Sequence, residues 1–287
     1  MTSDEIKNSL AGIIEGEITL DESVRKTASR DASIFEIMPS CVVYPKHERD
    51  IQTVVRFVRD NKAANPELSI TVRSAGTCMS GGAINDSIIL DVTKYMQGIL
   101  EVKATEKDGF GRVLPGTYYR DFDAETKKIG LLMPTYSASR DICTVGGMVG
   151  NNAGGEKSLH YGKTENFVSM LRVVFDDGEV YEIKPLTLSE LQTKVASQTR
   201  EGSIYKAIYD LISTHYDEIT GAKPNVSKNS AGYYLWNVYD KQTGVFDLCR
   251  LIVGSQGTLG IVTEITFRLL PVNKSSKHVV IFLNDLS

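Results

Sequence analysis

With 287 residues, 41% hydrophobic and 24% charged, the chain has the composition of a globular protein with room for a large core and one or two domains. Thirty-two Lys plus Arg against 36 Asp plus Glu leave a formal charge of -4 with no long block of either sign, which argues against nucleic acid as a partner. Met1 to Gly16 has neither the basic start nor the apolar stretch of a secretory signal, and no apolar run is long enough to span a bilayer. A cytoplasmic protein is expected, with peripheral membrane association left open.

Two short helices are expected in the first thirty-odd residues, then an apolar run, Cys41 to Tyr44, ended by Pro45. From Glu48 to Asn61 the residues Ile51, Val54, Val55 and Val58 recur at helical spacing, which predicts a helix with one face on a sheet. Ser69 to Arg73 reads as a strand running into a glycine loop, and Ser87 to Asp91 as the next strand. Gly116 to Ile129 reads as a helix, with Pro115 before it and Gly130 placed to stop it. Phe167 to Ile183 reads as two strands joined at Asp176-Asp177-Gly178. Leu186 to Thr220 is helical in pattern, with Ile204, Ile208, Leu211, Ile212 and His215 on one stripe, and Gly260 to Leu270 is the last strong strand. The sum is an α+β chain without internal repeats.

Cys41, Cys78, Cys143 and Cys249 make no CxxC pair, and His47, His160, His215 and His278 are equally scattered. A reducing compartment and no metal cluster are expected, unless folding alone assembles a ligand set.

Three glycine-rich segments carry the chemistry. A pyrophosphate presents charged oxygens in several directions, which suits converging backbone N–H groups. In Arg73-Ser74-Ala75-Gly76-Thr77-Cys78-Met79-Ser80-Gly81-Gly82 the glycines allow that approach, and Thr77 and Ser80 add hydroxyls. The plainer alternative is a tight connection between strands. Gly76-xxxx-Gly81 begins like an ATP-binding P-loop, but Gly82 and Ala83 stand where its Lys and Ser/Thr belong, and the spacing GxGxxG is absent. In the second segment, Pro134 to Gly155, small and polar residues flank Gly146-Gly147 and Gly154-Gly155, and Asn151 and Asn152 can each donate and accept. Gly154 also fits a helix C-cap, whereas Gly146 and Gly147 read better as cofactor positions. The third segment, Gly254 to Glu264, has glycine every third residue leading into a strand, which a bend and a buried strand would also explain.

Taken together and in order, these segments resemble the FAD-linked oxidases of the vanillyl-alcohol oxidase and para-cresol methylhydroxylase type, in particular the branch holding the glycolate oxidase FAD subunit, D-lactate dehydrogenase and D-2-hydroxyglutarate dehydrogenase. The residues that carry the likeness are Arg73 to Gly82, Cys143-Thr144-Val145-Gly146-Gly147, Asn152-Ala153-Gly154-Gly155, Tyr161-Gly162 and Gly257 to Glu264. The resemblance implies an α+β fold whose two subdomains hold an extended FAD between them. It assigns residues 1–34 to an N-terminal helical segment, 35–272 to the FAD-binding domain and 273–287 to the start of a substrate or cap domain that is otherwise absent.

By the same resemblance, Ser74, Ala75, Gly76, Thr77, Cys78, Met79, Ser80 and Gly81 wrap the pyrophosphate. Pro134, Ser137, Cys143, Thr144, Gly147 and Asn151 line the ribityl chain and flavin, with Gly146 and Asn152 beside them, and Ile261 and Val262 touch the cofactor through their backbone. No histidine lies in either loop, so a non-covalent flavin is expected, with Cys78 and Cys143 as alternative attachment points. Gln256 stands where the family more often has glutamate. The implied reaction is oxidation of a small 2-hydroxy acid such as D-lactate, glycolate or D-2-hydroxyglutarate, with the catalytic base unassigned.

Lys228, Asn229 and Tyr233 resemble a family K-N-x-x-G-Y segment and are the substrate-side candidates, or else a solvated turn with a core tyrosine. His160 reads more readily as structural than as catalytic. His278 to Leu283 looks like the first strand of the cap. The chain is then a shortened polypeptide, a truncated reading frame or one subunit of a split enzyme. A flavin-carrying subunit that needs a partner chain is the competing reading, and a reductase of cell-wall sugar-nucleotide synthesis fits the third segment badly.

Overall fold

The computed structural model describes residues 1–226, 229, 232–273 and 279–282. Its first lobe contains α1 (Ser3–Leu10), β1 (Glu17–Thr19), α2 (Glu22–Ala28), β2 (Cys41–Tyr44), α3 (Glu48–Asn61), β3 (Ile70–Arg73) and β4 (Ile88–Asp91). The sheet order is β1-β2-β4-β3, with β4 parallel to both β2 and β3 and β1 antiparallel at the edge. Helix α3 crosses between the parallel strands and buries Ile51, Val54 and Val55 against Cys41, Val43, Ile88 and Leu90. Burying each such side chain contributes about 1.5–3 kcal/mol, which fixes the face that the spacing predicted. Asp50, at the start of α3, is buried and accepts the backbone N–H groups of Glu15 (2.9 Å) and Lys46 (2.8 Å), tying the N-terminal segment to the sheet.

The second lobe begins with β5 (Ile99–Ala104), β6 (Gly109–Val113), α4 (Tyr119–Lys128), β7 (Leu131–Leu132), α5 (Val145–Gly150) and α6 (Ser158–Tyr161). It continues with β8 (Val168–Val174), β9 (Val180–Ile183), β10 (Leu186–Thr187), α7 (Leu188–Ala196), α8 (Arg200–Thr214), α9 (Tyr216–Gly221), β11 (Tyr239–Asp240), β12 (Val245–Phe246), α10 (Cys249–Ile252) and β13 (Ile261–Pro271). The main sheet runs β5-β6-β13-β8-β9, antiparallel throughout, with β7 on the far end of β13, and β10-β12-β11 form a small separate sheet. Strand β13 is central, and its Ile265, Phe267 and Leu269 are fully buried.

The two lobes meet along α3. Glu48 in its first turn takes a bidentate pair from Arg172 on β8 (3.1 and 2.7 Å) and a hydroxyl from Thr263 on β13 (2.6 Å). Further along, Gln52 and Arg59 donate to the carbonyls of Gly178 and Asp177, and Arg56 pairs with Glu179. The Asp176-Asp177-Gly178 turn, with Gly178 at φ +75°, is therefore both the hairpin the sequence predicts and the surface on which α3 docks.

Several sequence expectations are corrected. Between Asp91 and Gly116, where the sequence pattern predicts no element, β5 and β6 form a hairpin. Much of β5 is exposed, and β6 carries two glycines, so neither strand shows a strong apolar pattern. Helix α4 begins at Tyr119, because Gly116 lies packed against the Val92 carbonyl where a side chain has no room. Gly130, at φ +75°, ends the helix as expected. Of the predicted stripe on α8, Ile212 is buried and Ile204 and Ile208 pack half-buried on the core as expected, whereas Leu211 and the capping His215 are exposed and Tyr205 is buried instead. The stretch 186–220 starts with β10, and β1 lies between the two expected N-terminal helices. His278 and Leu283 lie outside the described residues. Val279 to Phe282 between them are exposed and are not assigned to a strand.

Candidate cofactor site

The three glycine segments, distant in sequence, converge on one cleft between the lobes. The first follows β3. Gly76 (φ +65°) and Gly81 (φ +78°) adopt left-handed backbone that favours glycine. Among the described residues, the backbone N–H groups of Ser74 to Met79, Gly81 and Gly82 make no hydrogen bond to protein, and that of Ser80 reaches only the Cys78 sulfur at 3.4 Å. The loop's carbonyls are used differently: Gly76 and Cys78 both accept from the Ala32 N–H. A run of unspent N–H groups with glycine-like curvature is an anion cradle, and it fits a pyrophosphate.

The second segment supplies the opposite wall. Thr144 caps α5, accepting the Gly147 N–H at 3.4 Å, and the Gly146 N–H donates to the Pro115 carbonyl at 2.8 Å. A Cβ at Gly146 would lie 2.7 Å from the Pro115 oxygen, so only glycine lets α5 sit this close to the chain below it. A Cβ at Gly147 would be 3.6 Å from the Ser74 Cβ, which places this turn of α5 across from the first loop. The third segment is clipped to α5 by the Gly254 N–H on the Val149 carbonyl and the Gln256 N–H on the Gly150 carbonyl, both 2.9 Å. Gln256 is non-glycine at φ +52°, and its side-chain oxygen reaches across to Gly82, so this one residue touches all three segments. Such backbone costs about 1–3 kcal/mol and persists where its surroundings enforce it.

An FAD binding domain matches residues 39–184, just over half of the 287. The chain belongs to the FAD-binding domain family. Over 249 residues it is 30% identical to D-2-hydroxyglutarate dehydrogenase of Escherichia coli (strain K12), covering 87% of this chain and 24% of that protein. It is 26% identical to the glycolate oxidase subunit GlcD of Bacillus subtilis (strain 168), covering 100% of this chain and 49% of the relative. The chain thus spans about a quarter to a half of these relatives. Among solved structures, alkyldihydroxyacetonephosphate synthase superposes with a TM-score of 0.64 at 16% identity, over 95% of this chain and 41% of that one, which shows the shared fold.

In this FAD-binding domain the cleft is lined by twelve of the expected cofactor residues: Ser74, Ala75, Gly76, Thr77, Cys78, Ser137, Cys143, Thr144, Gly146, Gly147, Asn151 and Val262. The other six lie outside the lining. Met79 is 81% exposed, Ser80 bonds the Cys78 sulfur, Gly81 packs on the Phe35 ring, and Pro134 is buried. Ile261 belongs to the core of the first lobe. Asn152, at φ 44°, accepts the Glu165 N–H at 3.1 Å while its amide nitrogen stays buried without a partner. Val92, Pro115 and Gln256 also line the cleft. Gln256 was legible inside the third segment, whereas nothing local marks Val92 or Pro115.

Burial pushes the Cys143 thiol up, and the nearby Ser137 and Ser139 hydroxyls only partly offset this. A protonated, buried thiol is a poor nucleophile.

Of the substrate-side candidates, Asn229 and Tyr233 do not line the cleft. Lys228 lies outside the described residues. Asn229 lines a second, polar cavity with Lys163, Glu165 and Tyr234, and its carbonyl accepts from Lys163 and from the Tyr234 hydroxyl. Tyr233 is 46% exposed, its hydroxyl 2.7 Å from that of Thr258 in the third segment. His160 is exposed and edge-on to Tyr161. Among the described residues, no helix is long and apolar enough to cross a membrane.

Proposed function

We propose that this domain holds FAD non-covalently for an enzyme that oxidises a small 2-hydroxy acid of the D-lactate, glycolate or D-2-hydroxyglutarate kind. The observation that carries the cofactor half is the cleft lined on one side by Ser74 to Cys78 and Gly82, six residues of the first loop whose backbone N–H groups make no hydrogen bond to protein, and on the other by α5. In this reading Ser74 to Gly81 bind the pyrophosphate. Thr144, Gly146, Gly147 and Asn151 shape the flavin wall with Ser137 and Cys143, Pro134 and Asn152 support that wall from behind, and Ile261 and Val262, at the start of β13, close the side. When bound, the flavin supplies the hydride-accepting chemistry, and the chain contributes orientation and exclusion of water. Residues 35–272 form the FAD-binding unit, after a helical segment at 1–34 and before the start of a further domain at 273–287, and the setting is cytoplasmic.

Substrate class rests on the names of the relatives, and the matches to a dehydrogenase and to an oxidase subunit support it. A second reading, favoured by the relative named as a subunit, is that the chain carries flavin and relies on a partner chain or on a further domain for the hydroxy acid. Lys228, Asn229 and Tyr233 remain the substrate-side proposal, reaching the flavin region through the Tyr233–Thr258 contact.

The test is the near-ultraviolet to blue absorption spectrum of the purified protein, before and after acid precipitation. A flavin spectrum that moves wholly into the acid supernatant and runs as FAD is expected. Bleaching of that flavin by D-lactate, glycolate or D-2-hydroxyglutarate under anaerobic conditions would identify the chain as sufficient for substrate oxidation. Bleaching only after a partner is added would favour the second reading, and folded protein that takes up no FAD would end both.

A further inference from the structure

Arg73 ends β3 immediately before the first loop and is only 9% exposed. Its Nη1 donates to two carbonyls, that of Ala83 just beyond the loop at 3.2 Å and that of Ala28 at the end of α2 at 3.4 Å. A Cβ added to Gly76 would collide with Nη2 and lie 2.9 Å from Cζ, so the guanidinium is pressed against the loop's midpoint. One side chain therefore reaches from the start of the loop to its middle and its end.

A simple tether would not require an arginine. Burying a guanidinium is costly unless charge and donors are satisfied, and among the described residues no carboxylate lies within ion-pair distance of this one. Asp91 and Asp31 act on it from farther off. Asp91 spends an oxygen on the Thr93 N–H and hydroxyl (2.8 and 2.6 Å), and Asp31 spends one on the Ser33 N–H (2.8 Å). The desolvation this imposes pulls Arg73 below the usual guanidinium range. Such a cost is retained where a planar fork fixes a geometry that a flexible chain cannot.

We propose that Arg73 is a positioning residue for the pyrophosphate: its guanidinium, held between the Ala83 and Ala28 carbonyls and pressed beneath Gly76, keeps the loop's N–H groups converging on one point. The assignment rests on the reading that this loop takes the pyrophosphate of FAD. Lys at this position retains the charge and one donating nitrogen, as Nη1 is here, but it has no planar group with a second nitrogen to press beneath Gly76, and Met removes charge and donors alike. The effect is confined to the part of the ligand the loop touches, so it differs between flavins with and without a pyrophosphate.

The test compares dissociation constants of FAD and of riboflavin, followed by flavin fluorescence, for wild type, Arg73→Lys and Arg73→Met, with circular dichroism as the control for folding. Losing the planar group beneath Gly76 is expected to weaken FAD by about tenfold in Arg73→Lys, and losing the donors as well by more in Arg73→Met, while riboflavin changes by less than about twofold. Where the Arg73 variants do not fold, Gly76→Ala pushes the guanidinium from the other side and is expected to shift the same ratio. Equal weakening of both flavins, or no change in either, overturns the proposal. Wild-type protein that binds neither flavin overturns the FAD reading beneath it, a result separable from a wild type that binds and variants that do not discriminate.

Discussion

Replacing Glu48 by Gln should loosen the joint between the two lobes. Glu48 accepts two hydrogen bonds from Arg172 and one from Thr263, at 3.1, 2.7 and 2.6 Å, with side-chain exposures of 27% for Glu48 and 37% for Arg172. A fully buried pair broken on one side costs about 3–5 kcal/mol and an exposed one about 0.2–1 kcal/mol. This pair lies between those limits, and solvent screening of Arg172 draws it toward the lower one, giving about 1–2 kcal/mol, or about 2–6 °C in melting temperature for a chain of this size.

The pH dependence follows from the direction of the Glu48 shift. Burial raises its pKa, but the Arg172 and Thr263 hydrogen bonds and the Arg172 charge outweigh burial and leave it lowered. A carboxylate with a lowered folded pKa stabilises the native state above its unfolded value of about 4.3, and that contribution is lost as pH falls through the folded value. Thermal melts of wild type and Glu48→Gln from pH 7 to pH 3.5 should therefore converge at the acid end. An Arg172→Met double-mutant cycle should return about 1 kcal/mol of coupling at pH 7. A difference that persists unchanged at pH 3.5, or no coupling at pH 7, would refute this account of the joint.

Gly146→Ala forces a methyl against the Pro115 backbone, and overpacking of this kind should cost about 1–3 kcal/mol in urea unfolding while displacing α5 from the cleft. Gln256→Gly relieves a left-handed non-glycine backbone and removes the side chain that crosses to Gly82. Its melting temperature should hold or rise despite the added chain entropy, while FAD dissociates faster in stopped-flow fluorescence; slower release would contradict the crossing role. Cys78→Ser and Cys143→Ser, alone and together, should leave all flavin extractable by acid with an unchanged visible spectrum. Flavin that stays with precipitated wild type but not with a cysteine variant would show a covalent link.

What could be read locally was read well. The four-residue spacing of α3, the glycine turn at Gly178 and the stop at Gly130 are each decided within a few residues by burial or by positive φ, and the structure carries all three. The readings failed where a neighbour far along the chain decides. Strand β5 shows weak alternation because much of it is exposed and pairing with β6 holds it. The face of α8 is chosen by aromatic packing of Tyr205 on Phe246, which no helical periodicity contains.

The glycine loop shows the same division. From sequence alone, Arg73 to Gly82 was a phosphate-compatible turn, and the missing Lys and Ser/Thr excluded a P-loop, because the residue types that bind and neutralise phosphate are countable in one dimension. Whether its amides are free to bind anything depends on where every other acceptor lies, and only the folded chain shows that they are unspent, that Gly147 faces Ser74, and that Gln256 joins the three segments. The sequence determined which ligand chemistry this protein's loops can accept. Tertiary structure decided that they line one cleft, since convergence is a property of distances between residues that local pattern does not encode.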